Sequence, residues 1–207
     1  MNAVSLIESM KRPANKGSQI VPPARDAGTA NQDIASPRGD AFFDAPNLTS
    51  MFYHSNGGRP DAAVSAIDLS MLRSCLSARF GVRRFSYVVA ANAHRNRSAR
   101  RQFVERFHWK FIEARRASPL NRDPVDTFII ERILAATSQL TLTGPRTIVL
   151  ISHDGDFTEA CRGFLHGGGR VVLTGFTERF SRRLYDLSNH PRCDLIDLRY
   201  DLNVADR

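Results

Sequence analysis

Short apolar runs rich in β-branched residues alternate along this chain with longer stretches whose apolar residues lie three or four positions apart. The clearest run is Thr147 to Ser152 (TIVLIS), which is apolar between its two hydroxyl-bearing ends and predicts a strand buried on both faces. Strands that alternate with helices form a parallel sheet joined by right-handed crossovers. The chain is therefore predicted to be an α/β protein with three layers, α/β/α, around a mostly parallel central sheet.

Apolar spacing and turn residues together place six strands and five helices. The predicted strands are Ala41–Asp44, Phe85–Ala91, Trp109–Ala114, Thr147–Ser152, Arg170–Thr174 and Asp194–Leu198. The predicted helices are Ile67–Phe80, Arg97–Phe107, Val125–Ala136, Asp156–Leu165 and Glu178–Leu187. The first strand is expected to end in a turn at Ala45-Pro46-Asn47, and Gly81 is expected to end the first helix.

Composition limits the number of domains and the kind of partner. Residues 1–38 are rich in Pro, Ser, Ala, Asn and Gly without sustained periodicity, which predicts a disordered arm ahead of one domain over residues 39–207. The formal net charge of +8 favours a polyanionic partner such as RNA. Three scattered cysteines and the lack of a signal-peptide or membrane-spanning run predict a cytoplasmic protein with no membrane partner. The sequence leaves open whether the chain forms a homo-oligomer.

Acidic residues stand where two of the predicted strands end. Asp44 closes the first strand, and Asp154 and Asp156 follow the TIVLIS strand, while Asp126 lies at a predicted helix start. Because parallel strands present their carboxyl ends at one edge, we expect these acids to converge on a single crevice. Crowded carboxylates repel one another unless a cation neutralises them, and an all-oxygen site suits Mg²⁺ or Mn²⁺ better than zinc. The competing interpretation is structural: a turn residue at Asp44 and helix N-caps at the others.

Three motifs stand in order along the chain, Phe42–Leu48 (FFDAPNL), Val125-Asp126 and Ser152–Phe157 (SHDGDF). They are followed by Gly169-Arg170-Val171-Val172 and by Ser181 and Leu184 ahead of the last predicted strand. Over about residues 40 to 200 this series resembles the NYN family of PIN-like nucleases. The resemblance implies a PIN-like fold and a metal-dependent endoribonuclease that hydrolyses RNA phosphodiesters.

The resemblance also implies roles for individual residues. It makes Asp44, Asp126, Asp154 and Asp156 the catalytic acids that bind Mg²⁺ or Mn²⁺, with Asn47 as a polar companion. The candidate substrate contacts are Asn47, Ser181, His153 for its place beside Asp154, and three arginines of the basic predicted helix, Arg97, Arg100 and Arg101. The arginines are chosen for their charge, and the competing interpretation of that charge is a solvated helix face.

The chain departs from the family pattern at two places. His153 replaces a small Gly, and Glu131 with Arg132 stands slightly out of step with a further acid of the family's central helix. The alternative function is therefore a catalytically weak or inactive module of the same fold that binds RNA or a protein partner. The two functions differ in the number of carboxylates that share the crevice, since catalysis needs at least three.

Overall fold

The computed structural model describes residues 39–55, 67–91, 97–115, 123–144 and 146–199. These residues form a six-stranded sheet in which every strand pairing is parallel, with helices on both faces. The predicted three-layer α/β/α architecture is confirmed. The predicted N-terminal arm and the loop at residues 56–60 lie outside the described residues. Within the described part, no helix is both long and apolar enough to span a membrane.

The six strands follow one another in the order that the sequence patterns predict, and one described helix, Ala45–Ser55, has no predicted counterpart. Strands β1 to β6 span Gly39–Asp44, Val82–Ala90, Lys110–Ala114, Thr147–Ile151, Arg170–Gly175 and Cys193–Asp197. Helices α1 to α6 span Ala45–Ser55, Leu69–Phe80, Arg97–Glu105, Pro124–Thr143, Thr158–His166 and Arg182–Tyr185. Three 3₁₀ turns span Gly155–Phe157, Thr177–Arg179 and Asp186–Asn189. The strand order is β3-β2-β1-β4-β5-β6, so the direction in which strands are added reverses between β1 and β4.

Each face of the sheet buries its own apolar core. On the first face, Leu72 of α2 and Trp109 pack with Phe43 of β1. On the opposite face, Ile129 of α4 and Phe164 of α5 pack against residues of the same strands whose side chains alternate to that side. Burying a side chain of this size contributes about 1.5–3 kcal/mol, so the two cores together supply most of the driving force for folding.

The predicted turn after the first strand is wrong, because α1 begins at Ala45 directly after β1. The backbone N–H of Asn47 donates to Asp44 Oδ1 at 3.2 Å, so Asp44 caps the helix. Pro46 lies in the first helical turn, where backbone N–H groups have no acceptor within the helix, so the N–H that proline lacks costs no hydrogen bond. A proline that looked like a helix breaker therefore belongs to a helix start.

Helix α4 begins two residues before Asp126 and runs past the predicted end at Ala136. Its N-cap is Asp123, whose Oδ1 accepts a hydrogen bond from Val125 N at 2.8 Å. The helix extends to Thr143 because Leu140 continues the buried face formed by Ile129 and Ile133.

The helix predicted over Glu178–Leu187 is wrong, because two 3₁₀ turns and the short helix α6 occupy that stretch. Phe180 has an extended backbone with φ −57° and ψ 137°, which interrupts the helical course. Ser181 then starts α6, its Oγ accepting a hydrogen bond from Leu184 N at 3.3 Å. The helix predicted from Asp156 likewise begins as a 3₁₀ turn before α5.

Candidate active site

The crevice beyond the carboxyl ends of β1 and β4 is the place where the strand order reverses, and ligands of open parallel sheets bind at such points. Asp44 is the last residue of β1 and is only 2% exposed. Ser152 follows β4 directly, and its hydroxyl donates to Asp44 Oδ2 at 2.8 Å. The ends of the two central strands are therefore tied together through a buried carboxylate.

The loop after β4 carries the next two acids. Asp154 caps the 3₁₀ turn, because its Oδ1 accepts a hydrogen bond from Asp156 N at 3.0 Å. The backbone N–H of Asp154 donates to Ser152 Oγ at 3.2 Å, so the same hydroxyl contacts both strand ends. Asp154 is half-buried and Asp156 is exposed, which places one at the wall of the crevice and the other at its rim.

Helix α4 brings two further acids, Asp123 and Asp126, to the same crevice. Asp126 lies in the first turn and is half-buried; burial and the charges of Asp44, Asp123, Asp154 and Asp156 raise its pKa to about 7. Burial raises the pKa of Asp44 to about 6, and the charges of Asp154 and Asp123 add to that effect. The other three predicted acids therefore lie close enough for their charges to act on Asp126, and Asp123 is a fifth acid of this group that the sequence reasoning missed.

The suitability of this cluster for a cation rests on its chemistry. No group of three or more His, Cys, Asp or Glu side chains in the described part of the chain is arranged to hold one ion. Mg²⁺, however, is usually held by one or two carboxylates and completes its shell with water and substrate phosphates. The donors here are all oxygens, and the pKa values of Asp44 and Asp126 are raised, which means that their negative charges are poorly compensated. A bound cation would relieve the repulsion between the carboxylates, so the donor set fits such an open site.

His153 and Asn47 hold the loop after β4 in place. His153 is 4% exposed; its Nε2 accepts a hydrogen bond from Phe176 N at 2.8 Å. Its Nδ1 lies 3.2 Å from Asn47 Oδ1, which also accepts from His153 N at 3.0 Å. Because Nε2 accepts, the ring is neutral with its proton on Nδ1, and burial lowers its pKa to about 4. This placement does not suit the predicted contact of His153 with a phosphate; the ring instead links the loop to α1 and the end of β5.

Ser181, at the start of α6, also holds the loop that follows β4. Its backbone N–H donates to His153 O at 3.0 Å, while its hydroxyl caps α6. A methyl group on Gly155 would lie 2.8 Å from Ser181 Oγ, so the glycine is what allows α6 to pack against the turn that carries Asp156. Ser181 thus positions the loop, and because it is half-exposed its predicted contact with a substrate stays a prediction.

The three arginines predicted to hold RNA lie on α3, which packs against the edge strand β3. Arg97 forms an ion pair with Glu113, and Arg100 is only 9% exposed. Arg101 is exposed, with its guanidinium 5.5 Å from the centroid of the Phe111 ring. Since β3 is two strands from β1, about 10 Å away, these residues flank the crevice rather than line it.

A second basic group, missed in the sequence, follows β5 at the same edge as the acids. Arg179 lies in the 3₁₀ turn, and Arg182 and Arg183 lie in α6; all three are exposed. Arg183 pairs with Glu159 at 3.4 Å, whereas Arg179 and Arg182 form no ion pair within the described residues. The signal was present as the run TERFSRR directly after a predicted strand.

The chain matches no protein-family model and no curated protein sequence. Its fold is similar to the crystal structure of a protein of unknown function from Vibrio parahaemolyticus RIMD 2210633, with a TM-score of 0.57 and 14% sequence identity. The similarity covers 84% of this chain and 99% of that one. At this identity the likeness supports the fold alone.

Proposed function

We propose that this protein is a metal-dependent endoribonuclease of the NYN kind that hydrolyses RNA phosphodiesters at the acidic crevice. The observation that carries the proposal is the convergence of five carboxylates where the strand order reverses, with the pKa values of Asp44 and Asp126 raised by burial and mutual repulsion. No described Lys or Arg forms an ion pair with Asp44, Asp126, Asp154 or Asp156. A divalent cation is the natural counter-charge for such a cluster.

The chain supplies a rigid frame for that cation. Asp44 and Asp154 are the best-fixed ligands, because Ser152 and the 3₁₀ turn hold them in place. Asp126 and Asp156 complete the candidate set from α4 and from the rim. A bound Mg²⁺ or Mn²⁺ polarises a phosphate and lowers the pKa of water. Of the remaining tasks, a carboxylate at the crevice wall would take a proton from water, and the exposed Arg179 and Arg182 would help to orient the phosphate.

RNA is supported as the substrate by charge. The chain carries a net charge of +8, and Arg179 and Arg182 are exposed on elements that adjoin the loop of Asp154 and Asp156. Phosphate contacts of this kind give affinity and register without reading the bases. We therefore expect cleavage that tolerates many sequences and weakens as salt rises.

The test is cleavage of a 5′-labelled, mixed-sequence, single-stranded RNA with Mg²⁺, Mn²⁺ or EDTA. Asp154→Asn keeps the shape of the side chain and removes its charge, and Asp186→Asn makes the same change at an exposed position outside the crevice. We expect metal-dependent cutting that falls at least about tenfold in the first variant and stays unchanged in the second. An uncut RNA under every metal condition, or equal cutting by both variants, contradicts the proposal.

A second candidate function is binding of RNA or of a protein partner by a module of this fold that does not cleave RNA. It is favoured by the lack of a three-ligand group among the described residues and by the buried His153 beside Asp154. Binding of the labelled RNA that is tight and sensitive to salt, with no product in Mg²⁺ or Mn²⁺, selects this function.

A further inference from the structure

A second concave surface lies at the amino edge of the sheet, opposite the acidic crevice. It is a cavity of about 450 Å³ between the middle of α4, from Phe128 to Gln139, and the strands β1, β2 and β3. Asp40 lines this cavity and Asp44 lines the crevice, and both belong to β1. Four residues of strand separate them by about 13 Å, so the end of the cavity at Asp40 is distinct from the acidic crevice. The cavity extends from there toward Ile112, which is in register with Val88 and, through it, with Asp44.

The polar lining of the cavity is strongly basic. Among the described residues that line it, Asp40 is the one carboxylate, against five lysine and arginine side chains and a histidine. The basic residues are Arg83, Arg84, His108, Lys110, Arg132 and Arg146. Positive charges that line a concave surface reinforce one another's electrostatic potential, so the cavity should attract anions.

The buried part of this group is one ion pair, Asp40 with Arg146, and the exposed Arg84 shares the same carboxylate. Asp40 accepts hydrogen bonds from Arg84 Nη2 at 2.6 Å and from Arg146 Nη2 at 2.9 Å, so one carboxylate pairs with two guanidinium groups. Arg146 is 7% exposed, and its Nη1 donates to the neutral Gln139 at 2.5 Å. Its Nε is buried without a hydrogen-bond partner within the described residues. A buried cation that is short of partners costs free energy, which a bound anion would offset.

The mouth of the cavity adds positive charge and apolar surface. Arg83, Lys110 and Arg132 are exposed there, and the Arg132 guanidinium lies 5.0 Å from the centroid of the Phe128 ring. Phe128 and Ile112 are half-buried and form part of an apolar wall. A polar end beside an apolar wall is the usual composition of a small-molecule site, and the volume lies in the range of about 300–1,000 Å³ that such sites occupy.

We propose that this cavity binds a nucleotide, with its phosphate at the arginines around Asp40 and its nucleoside against Ile112 and Phe128. Arginine matches phosphate because its forked N–H groups donate to two oxygens at once. The volume exceeds what a single phosphate fills, which is why a nucleoside-bearing ligand fits better than the free ion. The site does not depend on the proposed ribonuclease activity, because its phosphate-binding arginines surround Asp40 and it contains none of the acids of the crevice.

The test is calorimetric titration of the full chain in EDTA with adenosine 5′-monophosphate, adenosine, inorganic phosphate and a short single-stranded RNA. Lys110→Ala/Arg132→Ala removes two exposed charges at the mouth. Arg79→Ala/Arg162→Ala removes two exposed charges elsewhere, at the end of α2 and on α5, and keeps the same net charge. Thermal unfolding of both double variants checks that the fold is intact.

The proposal expects the monophosphate to bind at least about tenfold more tightly than either adenosine or inorganic phosphate. The cavity variant should weaken that binding at least about tenfold, and the control variant less than about twofold. The proposal is overturned if the monophosphate does not bind, if both double variants bind it equally, or if inorganic phosphate binds as tightly. Binding of the RNA strand without binding of the mononucleotide also overturns it, in favour of a nucleic-acid groove.

Discussion

Replacing Asp44 by asparagine should stabilise the metal-free protein at neutral pH. The carboxyl group is 2% exposed, and burial raises its pKa from 3.8 to about 6. Because the folded-state pKa is the higher one, folding favours the protonated group; the stability that protonation supplies is present below about pH 4 and lost as pH rises through 6. Asparagine removes the charge and keeps an oxygen that accepts from Ser152 or Asn47.

The magnitude follows from the pKa of Asp44. A difference between 3.8 and about 6 corresponds to about 3 kcal/mol at pH 8, at 1.36 kcal/mol for each pKa unit. The two carboxylate oxygens each accept one hydrogen bond, whereas asparagine has a single acceptor oxygen, so one of the two bonds is lost and removes about 1 kcal/mol of the gain. We expect Asp44→Asn to raise the free energy of unfolding by about 2 kcal/mol at pH 8 and not at all near pH 4.

The assay is urea unfolding in EDTA at pH 4.5 and at pH 8, with the slope on denaturant compared between the proteins. A gain at pH 8 that disappears at pH 4.5 supports the reasoning. If Asp44→Asn is destabilised at pH 8, or if its stability difference is the same at both pH values, the burial of an uncompensated carboxylate at this place is refuted.

The matched control is Asp40→Asn, the same change at the other end of β1. Asp40 is also buried, but Arg84 and Arg146 neutralise it. Removing its charge leaves Arg146 buried without a counter-charge, so we expect a loss of about 3 kcal/mol at pH 8. The two substitutions should therefore move stability in opposite directions.

Three further outcomes follow from the site. Ser152→Ala removes the hydroxyl that joins the two strand ends, so urea unfolding should show a loss of about 1–2 kcal/mol. Gly175→Ala would bring a methyl group to 2.6 Å from His153 Nε2, and its melting temperature should fall, equivalent to a loss of about 1–3 kcal/mol. Arg179→Ala/Arg182→Ala should weaken RNA binding in EDTA and reduce the slope of log affinity against log salt by about 1.4.

Two of these substitutions have a control within the chain. Gly163 lies in α5, and a methyl group there would have no atom within 4 Å. The Gly163→Ala variant should therefore be no less stable than the unchanged protein, in contrast to Gly175→Ala. Arg79→Ala/Arg162→Ala should leave the salt slope near that of the unchanged protein. Equal effects of test and control variants would mean that the loop packing or the basic surface has been misassigned.

The strands could be predicted because their signal is local. Thr147–Ile151 is continuous and apolar, and its composition alone identifies a strand buried on both faces. The helix over Glu178–Leu187 was mispredicted because its apolar spacing is helical, while Phe180 turns instead to contact His153, with ring centroids 5.2 Å apart. A contact between residues so far apart in sequence leaves no periodic trace.

The site was predictable to the same extent. Asp44 and Asp154 stand next to strand ends, and strand ends of a parallel sheet share an edge, so their convergence follows from topology. Asp123 was missed because Pro124 after it looked like part of a turn, although proline is common in the first turn of a helix. The basic cavity was also missed, since Asp40 and Arg146 are 106 residues apart and neither belongs to a motif.

The measurement that tests the central claim most directly is Mn²⁺ binding, followed by the electron paramagnetic resonance signal of the free ion. The account predicts that the protein binds Mn²⁺, that Asp154→Asn weakens this binding at least about tenfold, and that Asp186→Asn leaves it unchanged. No binding at millimolar Mn²⁺, or equal binding by both variants, contradicts the claim that the acidic crevice is a divalent-cation site.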